Sequence, residues 1–198
     1  MGRPKALLRL DGSDTFLTRV VRTLREAGVH DVVVVVGHEG QGIVDHFASS
    51  GLTARFVENP AYERGQLTSL LAGLNVVDRP GVLATLVALV DVPLVSPATV
   101  RAVIDRYRAT RVAVVRPTRA GRHGHPLLID RSVFESLRCA DPTSGAKPIV
   151  RAHASPLSDV EVDDEGAFTD IDTPSDYEQA VRTNDASAAG RRREIEPS

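Results

Sequence analysis

The sequence predicts an α/β fold in which a doubly wound, mostly parallel sheet lies between two layers of helices and lacks its first strand. Three observations predict it. β-Branched runs alternate with helically spaced apolar residues from residue 16 to about residue 115, the rhythm of strand–helix–strand units. The stretch Ala84 to Leu94 is almost unbroken in its apolar character, as expected of a strand covered on both faces. Before residue 16, where such a sheet usually opens with a strand and a glycine-rich phosphate loop, the chain reads only as loop.

Each element has a local reason. Leu17, Val20, Val21 and Leu24 recur at helical spacing, and Gly28 supplies the stop, so residues 16–27 read as a helix. Val32 to Val36 is a buried strand ending in Gly37-His38-Glu39-Gly40, and Ile43, Val44 and Phe47 mark a short helix after it. Thr53 to Val57 is the next strand. After Asn59-Pro60, a helix carries Leu67, Leu70, Leu71 and Leu74 on one face. Following the Ala84–Leu94 run, Ser96-Pro97 caps a helix with Val100, Val103, Ile104 and Tyr107 inward, and Val112 to Val115 is another strand. The rhythm then changes to a Gly- and Arg-rich loop over 119–124, a strand at Leu127–Ile129, two short helices and a strand near Val160–Val162. The domain is expected to span residues 1–182, with 183–198 a disordered tail, because that segment is small, polar and aperiodic.

Composition narrows the function classes. At 198 residues with 42% apolar content, the chain suits one domain with a sizeable core. A net charge of -2 gives no reason to expect nucleic-acid binding. Neither a membrane-spanning run nor a signal-peptide core is present, so a cytoplasmic location with no membrane partner is expected. The single cysteine, Cys139, excludes an internal disulfide and reads as a packing residue. Of 24 basic residues only Lys5 and Lys147 are lysines. Lys5, in a Gly-Arg-Pro-Lys turn, is the better candidate for a phosphate oxygen, since an ammonium is a compact point charge; Lys147 reads as a solvated loop charge.

Two acidic features point to chemistry. Asp91 ends the Ala84–Leu94 run, where ligands of parallel sheets collect, although Asp before Pro93 also suits a simple turn. Far along the chain stands Asp170-Ile171-Asp172-Thr173-Pro174. Thr173 can cap a helix begun by Pro174 and aided by Asp176, which leaves Asp170 and Asp172 unneeded for capping. Should the fold bring Asp91, Asp170 and Asp172 together, their charge calls for a cation, and an oxygen-only set suits Mg²⁺.

These segments resemble motifs of the MobA-like nucleotidyltransferases, in particular the molybdenum cofactor cytidylyltransferase (MocA-like) branch, over about residues 1–181. Met-Gly-Arg-Pro-Lys-Ala-Leu-Leu at 1–8 is similar to the end of the signature Leu-Ala-Ala-Gly-x-x-x-Arg-Met-Gly-x-Pro-Lys. Asn59-Pro60 with Gly65-Gln66-Leu67-Thr68-Ser69-Leu70, Val90-Asp91-Val92-Pro93, Gly124-His125-Pro126 and Asp170-Ile171-Asp172-Thr173-Pro174 resemble further family motifs in the family's order. The resemblance implies a Rossmann-like, GT-A type fold and Mg²⁺-dependent transfer of a nucleoside monophosphate, CMP from CTP in first place and GMP from GTP in second. The implied acceptor is phosphorylated, molybdopterin above others, with a molybdoenzyme as a further partner. A methylerythritol phosphate or sugar phosphate acceptor is the rival reading, and a non-catalytic maturation factor for molybdoenzymes is another. By the same resemblance Lys5 and Asp91 are catalytic; Arg3, Lys5, Asn59, Gly65, Gln66 and Ser69 bind nucleotide; Gly124, His125 and Pro126 shape the acceptor side, and Arg119 and Arg122 face its charge. Asp91, Asp172 and Asp170 hold the metal. His38, His46, His123 and His153 are expected to be non-catalytic. Met1 aligns with the motif's internal methionine, so the native chain is expected to start roughly 15 to 20 residues upstream, enough for a strand and its loop.

Overall fold

The computed structural model describes residues 4–12 and 14–193, with side chains in the last helix as far as Asn184. After a single 3-10 turn at Lys5–Leu7 come α1 (Phe16–Glu26), β1 (Val33–Val36), α2 (Gly40–Ala48), β2 (Arg55–Glu58), α3 (Gln66–Val77), β3 (Ala84–Val87) and α4 (Pro97–Thr110). β4 (Val114–Arg119), β5 (Arg122–His123), β6 (Leu127–Asp130), α5 (Phe134–Arg138), α6 (Lys147–His153), β7 (Asp159–Glu161) and α7 (Pro174–Arg193) complete the chain.

The helix ends follow from local chemistry. Thr15 and Thr18 form a reciprocal capping box at the start of α1, and Gly28 takes φ +90° just past its end. Ser96 accepts from the Thr99 N–H with Pro97 in the first turn of α4. Thr173 accepts from the Asp176 N–H at 3.2 Å, while Asp176 accepts from the N–H groups of Thr173 and Asp172. α7 runs on to Arg193, past the point where sequence alone places a tail. Asn184 explains part of that extension: it is buried and its amide bonds to Asp11 and Arg19, pinning the helix against the loop before α1.

The layers are helix, sheet, helix. On one face Leu17, Val20 and Val21 of α1, Ile43 and Phe47 of α2 and Val100 of α4 pack with Val36 of β1 and Leu86 of β3. On the other, Leu70 and Leu74 of α3 pack with Val87, Ile129 and the α5 residues Phe134 and Leu137. The sheet layer itself is in two pieces. β1 and β2 pair in parallel, from Val33 opposite Arg55 to Val36 opposite Glu58. β3 pairs antiparallel with β6, which pairs antiparallel with β4; β4 also pairs with β5 antiparallel and with β7 in parallel. The second half thus adds antiparallel pairs to the expected parallel ones. Among the described residues no strand pairs with the remaining edge of β1 or of β3. α3 spans both pieces, because Gly73 lies against Val35 of β1 while Leu74 lies in the β6 cluster.

Two local expectations are corrected. β3 ends at Val87, so the apolar run continues as a turn in which the Val92 N–H donates to Leu89, and Asp91 sits in that turn rather than on a strand. With β6 antiparallel on one edge and no described partner on the other, nothing extends the ladder beyond Val87. Cys139 is exposed, because it follows the short helix α5 on its outer side while Phe134 and Leu137 take the core positions.

Candidate active site

Four segments converge at the carboxyl side of β3: the Lys5 turn, the Asp91 turn, the Asp170–Thr173 segment and the Gly124–Pro126 segment. The key tie is a backbone bond from the Ile171 N–H to the Asp91 carbonyl at 2.8 Å. Ile171 is fully buried against Leu10, Phe16 and Ala180, which turns its neighbours Asp170 and Asp172 away from the core. Between the acidic segments stands Lys5. Its ammonium contacts Asp172 Oδ1 directly and lies 3.9 Å from Asp91 Oδ2.

Asp91 is half-buried, and that desolvation raises its pKa above the ordinary aspartate value of 3.8; nearby Asp170 and Asp172 push the same way, and Lys5 opposes them. The three expected metal ligands do not form a protein-only cage: among the described residues no group of three or more acidic, His or Cys side chains could hold an ion. A lysine occupies the middle of the cluster instead. The residues still suit a hard cation of the Mg²⁺ type, which commonly takes one or two carboxylates and completes its shell with water and substrate phosphates. Asp91 and Asp172 would be those carboxylates.

His125 lies beneath this cluster. Burial lowers its pKa from 6.5, and its Nδ1 faces the Val87 carbonyl at 3.4 Å, the geometry of a neutral ring donating from Nδ1. Its N–H donates to the Ala167 carbonyl at 2.9 Å, and the peptide bond to Pro126 is cis. Gly124 is required by packing, since a Cβ there would stand 2.2 Å from the Ala167 carbonyl oxygen and 2.8 Å from the Phe168 ring. Arg119 and Arg122 are not free to meet an acceptor as expected: both pair with Glu165, and Arg119 also pairs with Asp163. The acidic run at 163–165 neutralises them in closing β4 and β5 onto the following loop.

The remaining expected nucleotide residues form a second cluster at the carboxyl end of β2. Gly65 takes φ +109° with open space in front of its missing Cβ, and Gln66 is exposed at the first position of α3. Asn59 is buried and makes all its side-chain bonds within the chain, to Ala61, Thr68 and Ser69, so it supports the loop rather than facing a ligand. Arg3 lies outside the described residues. Among described residues no hydrogen bond or ion pair joins the two clusters. Asp164 is a residue that sequence reasoning missed. It accepts from the Ser96 N–H at 2.9 Å and the Thr99 hydroxyl at 2.5 Å, fastening the loop after Asp91 to the loop before Asp170. Its only sequence signal is the acidic run ahead of Gly166, whose own Cβ would strike the Leu94 carbonyl at 2.2 Å.

A three-layer α/β fold with acidic residues and a lysine at the sheet's carboxyl edge suits a protein that handles a phosphorylated ligand. The chain belongs to the MobA-like NTP transferase domain family, which matches residues 1–157. Nucleotidyl transfer is the activity that this family is named for. A segment of 75 residues is 51% identical to the bifunctional IPC transferase and DIPP synthase of Rubrobacter xylanophilus; it covers 37% of this chain and only 17% of that protein. Rv0371c of Mycobacterium tuberculosis, solved with manganese, superposes with a TM-score of 0.73 at 28% identity, over 91% of this chain and 93% of that one. The molybdopterin-guanine dinucleotide biosynthesis protein A of Archaeoglobus fulgidus superposes at 0.65 with 19% identity, over 93% and 92%, and shares the fold. No helix among the described residues is long and apolar enough to cross a membrane.

Proposed function

We propose that this chain transfers CMP from CTP to a phosphorylated small molecule, releasing pyrophosphate, with Mg²⁺ as the working cation. The observation that carries this is Lys5 lying between Asp91 and Asp172: a fixed cation and two carboxylates, one of them half-buried, at the edge of the sheet. An oxygen of the acceptor phosphate attacks the α-phosphorus of the nucleotide. A new P–O bond forms there as the bond to the bridging oxygen breaks, and its electrons leave with pyrophosphate. Because the attacking group is already an anion, no general base is needed, and positioning with charge stabilisation carries the reaction.

Lys5 is released from Asp172 to the triphosphate as the nucleotide arrives, and stabilises the leaving charge. Asp91 and Asp172 are the residues that would hold the divalent ion, which when bound neutralises phosphate charge. The manganese bound by the mycobacterial relative supports a divalent requirement. His125, kept neutral by its burial, adds no charge beneath the carboxylates and borders the acceptor side with Gly124 and Pro126. Molybdopterin is the first acceptor to test, by resemblance to the MocA-like branch. The 51% identity to a protein named for IPC transferase favours a second reading, an acceptor of another phosphate class such as a methylerythritol or sugar phosphate.

Incubation with Mg²⁺, CTP or GTP and each acceptor, followed by pyrophosphate measurement, is the test. Release with CTP and one acceptor is expected. Nucleotide binding with no release from any combination would refute catalysis and leave the maturation-factor reading.

A further inference from the structure

The two segments that carry the site's carboxylates, residues 91–96 and 164–171, lie side by side and run in opposite directions. They touch at three levels. At one end the Ile171 N–H donates to the Asp91 carbonyl at 2.8 Å. In the middle the backbones approach so closely that a Cβ on Gly166 would stand 2.2 Å from the Leu94 carbonyl oxygen and 2.6 Å from its carbon. At the far end a single oxygen, Asp164 Oδ2, accepts from both the Ser96 N–H at 2.9 Å and the Thr99 hydroxyl at 2.5 Å. Thr99 is only 3% exposed, which shields that bond from water. Asp164 also opens the 3-10 turn Glu165–Phe168: its carbonyl accepts from the Ala167 N–H at 3.1 Å, and the Ala167 carbonyl in turn accepts from the His125 N–H. One residue thus ties together the loop after Asp91, the chain leading to Asp170 and Asp172, and the His125 segment.

We infer that Asp164 is a positioning residue for the transfer reaction: from the end opposite the site it fixes how Asp91 stands to Asp172, and so how tightly and where a divalent ion is held between them. This rests on the transferase reading above. The Ile171 bond fixes one distance between the segments but not the angle at which they cross. The second attachment, at Asp164, fixes that angle. Among the described residues no hydrogen bond or ion pair joins Asp164 to Lys5, Asp91, Asp170 or Asp172, so its influence on them travels through the two backbones. Outer groups that hold metal-binding side chains in place commonly matter to affinity and rate nearly as much as the ligands do. Both donors meet the same carboxylate oxygen, so an amide oxygen can take its place and a methyl group cannot.

The test compares variants of the full chain. Asp164→Ala, which removes both bonds, should weaken Mn²⁺ binding, read by electron paramagnetic resonance, about tenfold or more and lower kcat about 10- to 100-fold, with KM for CTP changed less than about threefold. Hydrogen exchange needs neither metal nor turnover: the Ile171 amide should exchange about tenfold faster or more, while the Arg55 amide, bonded to the Val32 carbonyl, keeps its rate. Asp164→Asn, whose amide oxygen can take both donors, should return every reading to within about threefold of the parent. A folded Asp164→Ala with the parent's Mn²⁺ affinity and Ile171 exchange would overturn the inference. So would faster exchange at both amides alike, the mark of general destabilisation, or an Asn variant as impaired as Ala, which would assign the effect to charge. If Asp164→Ala does not fold, Thr99→Val, which removes one of the two donors, decides by the same readings with shifts of about threefold. Absence of pyrophosphate release from the unmodified chain would sink the transferase reading by itself; Mn²⁺ binding and Ile171 exchange would still judge Asp164.

Discussion

The backbone N–H of Ile171 donates to the carbonyl of Asp91 at 2.8 Å, joining segments eighty residues apart in sequence at the point where their carboxylates emerge. That bond is protected because the Ile171 side chain is fully buried under Phe16 and beside Ala180. Ile171→Ala should therefore act twice. Loss of the buried side chain should cost about 2–5 kcal/mol in urea unfolding. Turnover should fall too, since Asp172 is no longer aimed at Lys5; a destabilised variant with the full rate at low temperature would contradict this coupling.

Lys5 holds two carboxylates that otherwise repel. Lys5→Ala should lower the transfer rate by about 10²-fold or more, the usual effect of removing one charge-stabilising group. It should also tighten Mn²⁺ binding in the absence of nucleotide, because the ion then replaces the missing ammonium between Asp91 and Asp172. Titration followed by electron paramagnetic resonance reads this directly. Weaker Mn²⁺ binding would show that the carboxylates do not act as the ion's ligands.

The raised pKa of Asp91 has a definite sign. Well below 3.8 the group is protonated in both folded and unfolded chains and contributes nothing to stability. As pH rises from there, the unfolded chain releases its proton first, so stability falls until the folded group also ionises, and the penalty persists above. Asp91→Asn should consequently be more stable than the parent at neutral pH and not at pH about 3, while losing transfer activity. Equal stabilisation at both values would argue against desolvation as the cause.

Gly124→Ala tests the acceptor side. The added methyl would meet a backbone oxygen at 2.2 Å, which has no flexible end to move aside, so the 124–126 segment must shift away from Ala167. A loss of about 1–3 kcal/mol is expected, with KM for the acceptor rising more than KM for CTP. An acceptor KM left unchanged would separate this segment from the acceptor.

Much of the fold was legible because it depends on neighbours in sequence. The capping residues Ser96 and Thr173, the stop at Gly28 and the apolar faces of α1, α3 and α4 all act within a turn or two of the chain. The end of β3 was not, because strand length depends on what pairs alongside, and its described partner, β6, lies some forty residues on and antiparallel. The continuation of α7 through Asn184 and the capture of Arg119 and Arg122 by Glu165 share that origin. Each is decided by a residue remote in sequence.

The sequence by itself determined which chemistry the chain carries: an oxygen-rich, lysine-bearing, cysteine-poor set of motifs in the order of a nucleotidyltransferase. Only the tertiary structure decided how those groups stand to one another, with Lys5 between Asp91 and Asp172 and the buried Asn59 turned inward onto Thr68 and Ser69. The physical reason is that residue types fix charge and hydrogen-bonding capacity, while distance, burial and bond direction arise only when distant segments pack together.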